Sequence, residues 1–284
     1  MMRLAVVLSA LLFAAPAFAE PESIPNLELQ GPMTQGSLVV GMAVPGARAT
    51  LDGAVLPVAE NGLFAFGFDR DHGPAARLAV VYPDGASFER LLEVAPREWA
   101  IQRIDGLPDK YVTPPPETLA RIAKERELKT AARAARVGDT WFALPFIWPA
   151  TGPISGVFGS QRIYNGEPRR PHYGVDVAAP TGTPIVAPQA GIVTLAQSDM
   201  FFEGGLVFLD HGHGVTSVMM HMSRVDVTEG QQVERGQVVG AIGATGRATG
   251  PHLHWGMFWR GAQIDPATLV GPMPDGQAVA TGGN

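Results

Sequence analysis

Short apolar runs separated by turn signals fill both ends of this 284-residue chain, and one helical stretch interrupts them. Between residues 25 and 105, the runs at 37–44, 63–68 and 78–82 are each long enough for one strand. Among them stand Asp52-Gly53, Asn61-Gly62 and Pro83-Asp84-Gly85, turn formers because Gly, Asn and Asp tolerate positive φ. The first two pairs are of the kind that closes tight hairpins. Turns at intervals of roughly ten residues predict a small β-sandwich.

Thr113 followed by three prolines is a helix entry, since proline is tolerated where the first-turn N–H has no partner anyway. The helix is expected from about residue 115 to 137, with Gly138 as its stop. Glu125 and Lys129 are ordered for an i,i+4 pair, and the charged surface predicts a solvated connector between domains. From Trp141 onward the chain is rich in Gly, Pro and short β-prone runs, at 183–187, 191–195, 206–209 and 237–242. No long helical period occurs there, so a second β domain is expected. The Gly- and Pro-rich tail after Leu269 is expected to fray.

Composition adds compartment and excludes partners. Arg3, an apolar run to Ala15 and the pattern Ala17-Phe18-Ala19 read as a secretory signal peptide, too short for a stable membrane span. Cleavage there leaves 284 − 19 = 265 residues and moves the formal charge from −6 to −7, because the only charge removed is Arg3. A mildly acidic chain does not suggest a nucleic-acid partner. Cysteine is absent, which excludes disulfides, thiolate metal sites and a lipidated cysteine. A soluble periplasmic protein without a membrane anchor is expected. Lys110, Lys124 and Lys129 are the only lysines.

Candidate chemistry is concentrated between residues 172 and 254. His172 and Asp176 share parity, so on an extended strand both point to one face. Gly174 between them keeps that face open for a metal to approach the backbone. His252 and His254 repeat the arrangement, with Leu253 turned to a core. Two such segments can surround one tetrahedral ion. With thiolates excluded, imidazole plus carboxylate remains, and mixed sites of this kind are usually catalytic, with three protein ligands and one open position. His221 lies in an apolar stretch after Met219 and Met220. His211 and His213 sit in a turn and are read as structural or exposed, and His72 as a surface residue of a polar loop.

In this order, the segments resemble the lysostaphin/LytM-type peptidoglycan metallopeptidases. The resemblance covers about residues 153–269 and rests on Gly156-Val-Phe-Gly159 with Arg162, His172-Tyr-Gly-Val-Asp176, Pro180-Thr-Gly-Thr-Pro184, Asp210-His-Gly212, His221, and Thr245-Gly-Arg-Ala-Thr-Gly-Pro-His-Leu-His254. It implies zinc (Zn2+) on His172, Asp176 and His254, with His221 and His252 catalytic beside the metal, their division of labour open. It implies hydrolysis of peptidoglycan peptide stems at cross-links, of the D-alanyl to meso-diaminopimelate type in a Gram-negative source. Two departures, Met219-Met220 before His221 and Gly256 where many relatives carry Glu, bear on substrate preference.

The fold class expected is mainly β. Residues 1–19 form the signal peptide, 20–108 a β-sandwich-like accessory domain, 109–140 a helical linker, 141–271 an antiparallel β metallopeptidase domain of the LytM type, and 272–284 a flexible tail. The accessory region could position the enzyme on the wall or cover its groove. Asn165 is read as a loop-turn residue rather than as an oxygen blocking the metal. The alternative function is a catalytically silent relative that regulates other wall hydrolases; such proteins typically lack some of the five residues. Zinc hydrolysis of a phosphoester is permitted by the ligand types and opposed by the resemblance alone. Residues 230–243 resemble a biotinyl or lipoyl carrier, which fails for want of a lysine beyond Lys129.

Overall fold

The computed structural model describes residues 24–105, 113–134 and 137–274. The expected signal peptide and the end of the expected tail lie outside the described residues. Seven strands fill the first part: β1 (Glu28–Gln30), β2 (Leu38–Met42), β3 (Arg48–Leu51), β4 (Ala54–Leu56), β5 (Leu63–Gly67), β6 (Ala75–Val81) and β7 (Ser87–Glu93). They form two antiparallel sheets, ordered β1-β2-β5 and β4-β3-β6-β7. Alternation makes the sandwich: Phe64 and Phe66 of β5 meet Leu78 and Val80 of β6 in one buried core. Ala65, on the opposite face of β5, joins the core of the second domain instead.

Asp52 and Gly53 take φ of 49° and 80° and close the tight β3–β4 hairpin. Asn61-Gly62 closes a tight turn, the Gly62 amide donating to the Ala59 carbonyl at 2.9 Å and the Ala59 amide to the Leu63 carbonyl at 2.8 Å, but it does not join neighbours of one sheet. It turns the chain from β4 in one sheet to β5 in the other, because the apolar sets of these strands belong to opposite sides of the sandwich.

Strand β8 (Ile101–Ile104) follows, then helix α1 (Pro116–Ala134). Twelve strands complete the fold, beginning with β9 (Ile154–Gly156), β10 (Gln161–Tyr164), β11 (Glu167–Pro168), β12 (Val175–Ala178) and β13 (Pro184–Val186). Long strands β14 (Gly191–Met200), β15 (Gly204–Asp210) and β16 (Val215–Val225) come next. The last are β17 (Gln232–Val233), β18 (Val238–Ile242), β19 (His252–Trp259) and β20 (Ala262–Ile264). The main sheet runs β17-β14-β15-β16-β19-β12-β9 and is antiparallel throughout. Its inner face carries Val175, Val177, Met219, Leu253, Trp255 and Met257 into one core.

Helix α1 is mostly exposed, as a solvated connector would be, but it also packs on the second domain. Ala132 is buried against Leu195, Leu206 and Phe208 of β14 and β15. The expected Glu125–Lys129 pair does not form: Glu125 accepts from Arg121 at 2.6 Å and from the Phe201 amide at 2.9 Å, while Lys129 pairs with Glu203. Residues 135 and 136 are outside the described set, and Val137 lies beyond the helix, its amide donating to Asp210. No helix among the described residues is long and apolar enough to cross a membrane.

The sandwich is fastened to the second domain. Arg97 meets Asp265 at 2.8 Å, Arg70 donates to the Gly159 carbonyl at 2.7 Å, and His213 reaches the Pro57 carbonyl at 3.1 Å. Strand β8, inside the sequence bounds of the accessory domain, pairs in parallel with β10, and Gln102 and Ile104 thereby reach the rim of the histidine cluster.

Candidate metal centre

The β12–β19 register sets Asp176 opposite His254. Asp176 Oδ1 stands 2.8 Å from His254 Nδ1, and His172 Nε2 stands 2.9 Å from each of them. His172 does not share a strand with Asp176, as parity had suggested. It precedes β12 in irregular chain and is held by backbone bonds with Gly159 and Ser160. His252 and His254 do lie together on β19, with Leu253 fully buried on the other face.

His172 Nδ1 lies 3.1 Å from the Val157 carbonyl, which can only accept, so Nδ1 carries the proton and Nε2 presents a lone pair to the other two atoms. Two imidazole nitrogens and a carboxylate oxygen in mutual contact need a shared proton or a cation between them. Tetrahedral ligands of zinc, at about 2.0–2.1 Å each, stand about 3.3 Å apart, so small side-chain shifts convert the triangle into a coordination face. The donor set, N, N and O with no sulfur, suits zinc at a hydrolytic site.

Space for these side chains comes from two glycines. A Cβ at Gly156 would lie 2.4 Å from Asp176 Oδ2, and one at Gly174 would lie 2.6 Å from the His254 ring. Gly174 thus admits the His254 imidazole. Arg162 Nη2 meets Asp176 Oδ2 at 2.9 Å, fixing the carboxylate so that Oδ1 faces the histidines. Burial pushes the Asp176 carboxyl up, but the His172 and His254 imidazoles set against it outweigh this and hold the group well below the usual carboxylate range. Burial lowers His172 to about 4, so its imidazole is neutral beside an ionised carboxylate.

His221 and His252 stand beside this triangle, with ring centroids 4.8 Å apart. His221 Nδ1 lies 2.9 Å from the Thr245 carbonyl and His252 Nδ1 lies 2.8 Å from the Gly250 carbonyl. Both rings therefore carry a proton on Nδ1 and leave Nε2 for the site; that of His252 is 3.9 Å from Asp176 Oδ1. Burial, helped by the charges His252 and His254 would carry, lowers His221 to about 3. The His221 backbone sits at φ +64°, left-handed for a residue inside a strand, where the β15–β16 register slips and its amide donates to the Glu203 carbonyl. Such backbone is costly and concentrates at functional positions.

His211 and His213 are not exposed. His211 is fully buried, held by the Ala190 carbonyl and Ser217 Oγ at 2.8 Å each, and His213 joins the two domains. Neither reaches the triangle. Asn165 stays in the β10–β11 turn at φ +47°, beside Gly166 at +85°. Sequence reading left Glu203 and Lys129 out of the site and gave Arg162, Thr245 and Arg247 no role within the quoted motifs. Thr245 Oγ1 bridges the Met222 carbonyl and the Gly205 amide, locking the strand slip that presents His221. A threonine opening a Gly-rich segment that ends in His-x-His is the signal for it. Cavities of about 150 and 400 Å³ open on either side of the histidines.

Residues 170–266 match the model of peptidase family M23. A crystal structure from Pseudomonas aeruginosa assigned to peptidase M23 superposes with a TM-score of 0.63 at 34% identity, covering 84% of this chain and 94% of that one. The peptidoglycan DD-endopeptidase ShyA of Vibrio cholerae is 36% identical over 121 residues, 42% of this chain and 28% of that protein. The cell division protein DipM of Caulobacter vibrioides is 32% identical over 161 residues, 57% of this chain and 25% of that protein. The chain spans about a quarter of the length of these two curated relatives. With a 34% identical match along nearly the whole of the Pseudomonas structure, and the family model matched over residues 170–266, this chain belongs to peptidase family M23.

Proposed function

We propose that the protein is an exported zinc endopeptidase that cuts peptide cross-links of bacterial peptidoglycan, of the D-alanyl to meso-diaminopimelate type. The observation that carries this reading is the triangle of His172 Nε2, Asp176 Oδ1 and His254 Nδ1, 2.8–2.9 Å on a side, with two further imidazoles next to it. The naming of ShyA supports the substrate class. The signal-peptide pattern before Glu20 supports a periplasmic location.

Zinc bound by the three ligands would polarise the scissile carbonyl and bring the pKa of a water down to roughly 7. Arg162 holds Asp176 in the ligating orientation, and the Val157 carbonyl does the same for His172. His221 and His252, each with Nδ1 tied to a backbone carbonyl, use Nε2 to take the proton of the attacking water and return it to the departing amine. Once protonated, the same nitrogen donates to the developing oxyanion. Residues 20–108 form an accessory domain, 141–271 the peptidase domain, and β8 brings the first against the groove of the second.

Digestion of purified sacculi tests the reading. Mass spectrometry should show cross-linked muropeptide dimers converted to monomers, abolished by a chelator and restored by zinc, with a phosphodiester left intact. A silent regulator, the second reading, would leave the dimers untouched; the presence of all five residues argues against it.

A further inference from the structure

The larger cavity beside the triangle, about 400 Å³, has five arginines in its wall: Arg133, Arg162, Arg169, Arg170 and Arg247. They converge from α1, from β10 and the chain after β11, and from the segment before β19. The acid on the same wall is Glu203, and Lys129 pairs with it. The concentration is local, since the chain as a whole carries a formal charge of −6.

Four of these guanidinium groups lie over aromatic rings. Arg133 is 5.1 Å from the Phe258 centroid, Arg170 5.4 Å from Tyr173, Arg247 4.6 Å from Phe202, and Arg162 6.0 Å from Tyr164. Stacking engages the flat face of a guanidinium and leaves hydrogen bonding to its edge, the arrangement suited to a planar carboxylate. Burial first, then neighbouring arginines, hold Arg133 and Arg247 below the usual arginine range. The Nε of Arg169 is buried with no hydrogen-bond partner. Arg162 is engaged with Asp176 and Glu203 offsets part of the charge near Arg133 and Arg247, so the wall keeps an excess of positive charge that favours an entering anion.

We infer that this cavity is a subsite for a free carboxylate borne by a residue flanking the scissile bond. The inference rests on the peptidase reading above and narrows its substrate. In a D-alanyl to meso-diaminopimelate cross-link, the carbon bearing the acylated amine also bears a carboxylate, so a negative charge sits next to the bond cut. Amidation of that carboxylate removes the charge and leaves the bond unchanged.

Two cross-linked peptide dimers, identical except that this carboxylate is free in one and amidated in the other, supply the test. The zinc-loaded full chain should cut the free dimer with a kcat/KM about 10- to 100-fold higher, the range of one charge-assisted pair. Arg170→Gln, at an exposed position that needs no repacking, should slow cleavage of the free dimer alone, and Arg133→Gln should do the same. Calorimetry of both dimers on His221→Ala reads recognition apart from turnover. Equal cleavage and equal binding of the two dimers would overturn the subsite and leave the peptidase reading standing, as would variants that slow both alike. Preferential binding of the free dimer with no cleavage by the parent chain would support the subsite and overturn the peptidase reading.

Discussion

Each proposed ligand is held by a carbonyl, a guanidinium or a glycine-made space, and this division of support gives the substitutions different signatures. Ala at His172, Asp176 or His254 should remove zinc and turnover together, read by elemental analysis beside sacculus digestion. His221→Ala should keep near-stoichiometric zinc and lose about 10²- to 10⁴-fold in turnover, the usual worth of a general acid–base. Gly174→Ala would drive a methyl to 2.6 Å from the His254 ring and the Trp255 carbonyl. Its expected outcome is a loss of about 10- to 100-fold in zinc affinity in chelator competition. The shared face of His252 and His254 was legible because strand parity acts within one short segment, whereas His172 is brought to Asp176 by irregular chain before β12 that no period announces. The left-handed His221 was not legible either, since a register slip between β15 and β16 depends on partners remote in the chain.

At the scale of elements, α1 and the β14–β15 turn work as a pair. Glu125 caps the turn at the Phe201 amide, Lys129 pairs with Glu203, and the Glu203 carbonyl receives the His221 amide. Both members of the Lys129–Glu203 pair are largely buried, at 16% and 13% side-chain exposure. Lys129→Met removes the ammonium paired with Glu203 while Arg133 and Arg247 still face that charge, and should cost about 1–2 kcal/mol. A lower urea midpoint at unchanged slope checks this. Strands with long apolar runs, such as β5, β15 and β18, were readable from the sequence. Strand β8 was not, because Ile101-Gln-Arg-Ile104 is short and becomes a strand only through its pairing with β10. The helix was found, but its packing face was missed, since one small residue, Ala132, makes the buried contact.

For the whole molecule, buried imidazoles couple folding to pH. Burial holds His172 and His211 near 4 and His221 near 3, against 6.5 for the unperturbed group. Between these values the unfolded chain binds more protons than the folded one, so stability rises with pH through the window and falls on acidification. Asp176, held low, acts in the same direction. Each histidine contributes a slope of about 1.4 kcal/mol per pH unit. Chelator-treated protein should therefore show denaturant midpoints that fall steadily from pH 6.5 to 4.5, and a flat profile would contradict neutral burial of these rings.

Two domains locked by Arg97–Asp265, Arg70–Gly159 and the β8–β10 pairing present one groove, and the chemistry proposed for it depends on a single zinc ion. Anomalous diffraction at the zinc edge from crystals of the zinc-loaded protein measures this directly. One strong peak bonded to His172 Nε2, Asp176 Oδ1 and His254 Nδ1 is the predicted result. A peak elsewhere, or none at full zinc loading, would contradict it.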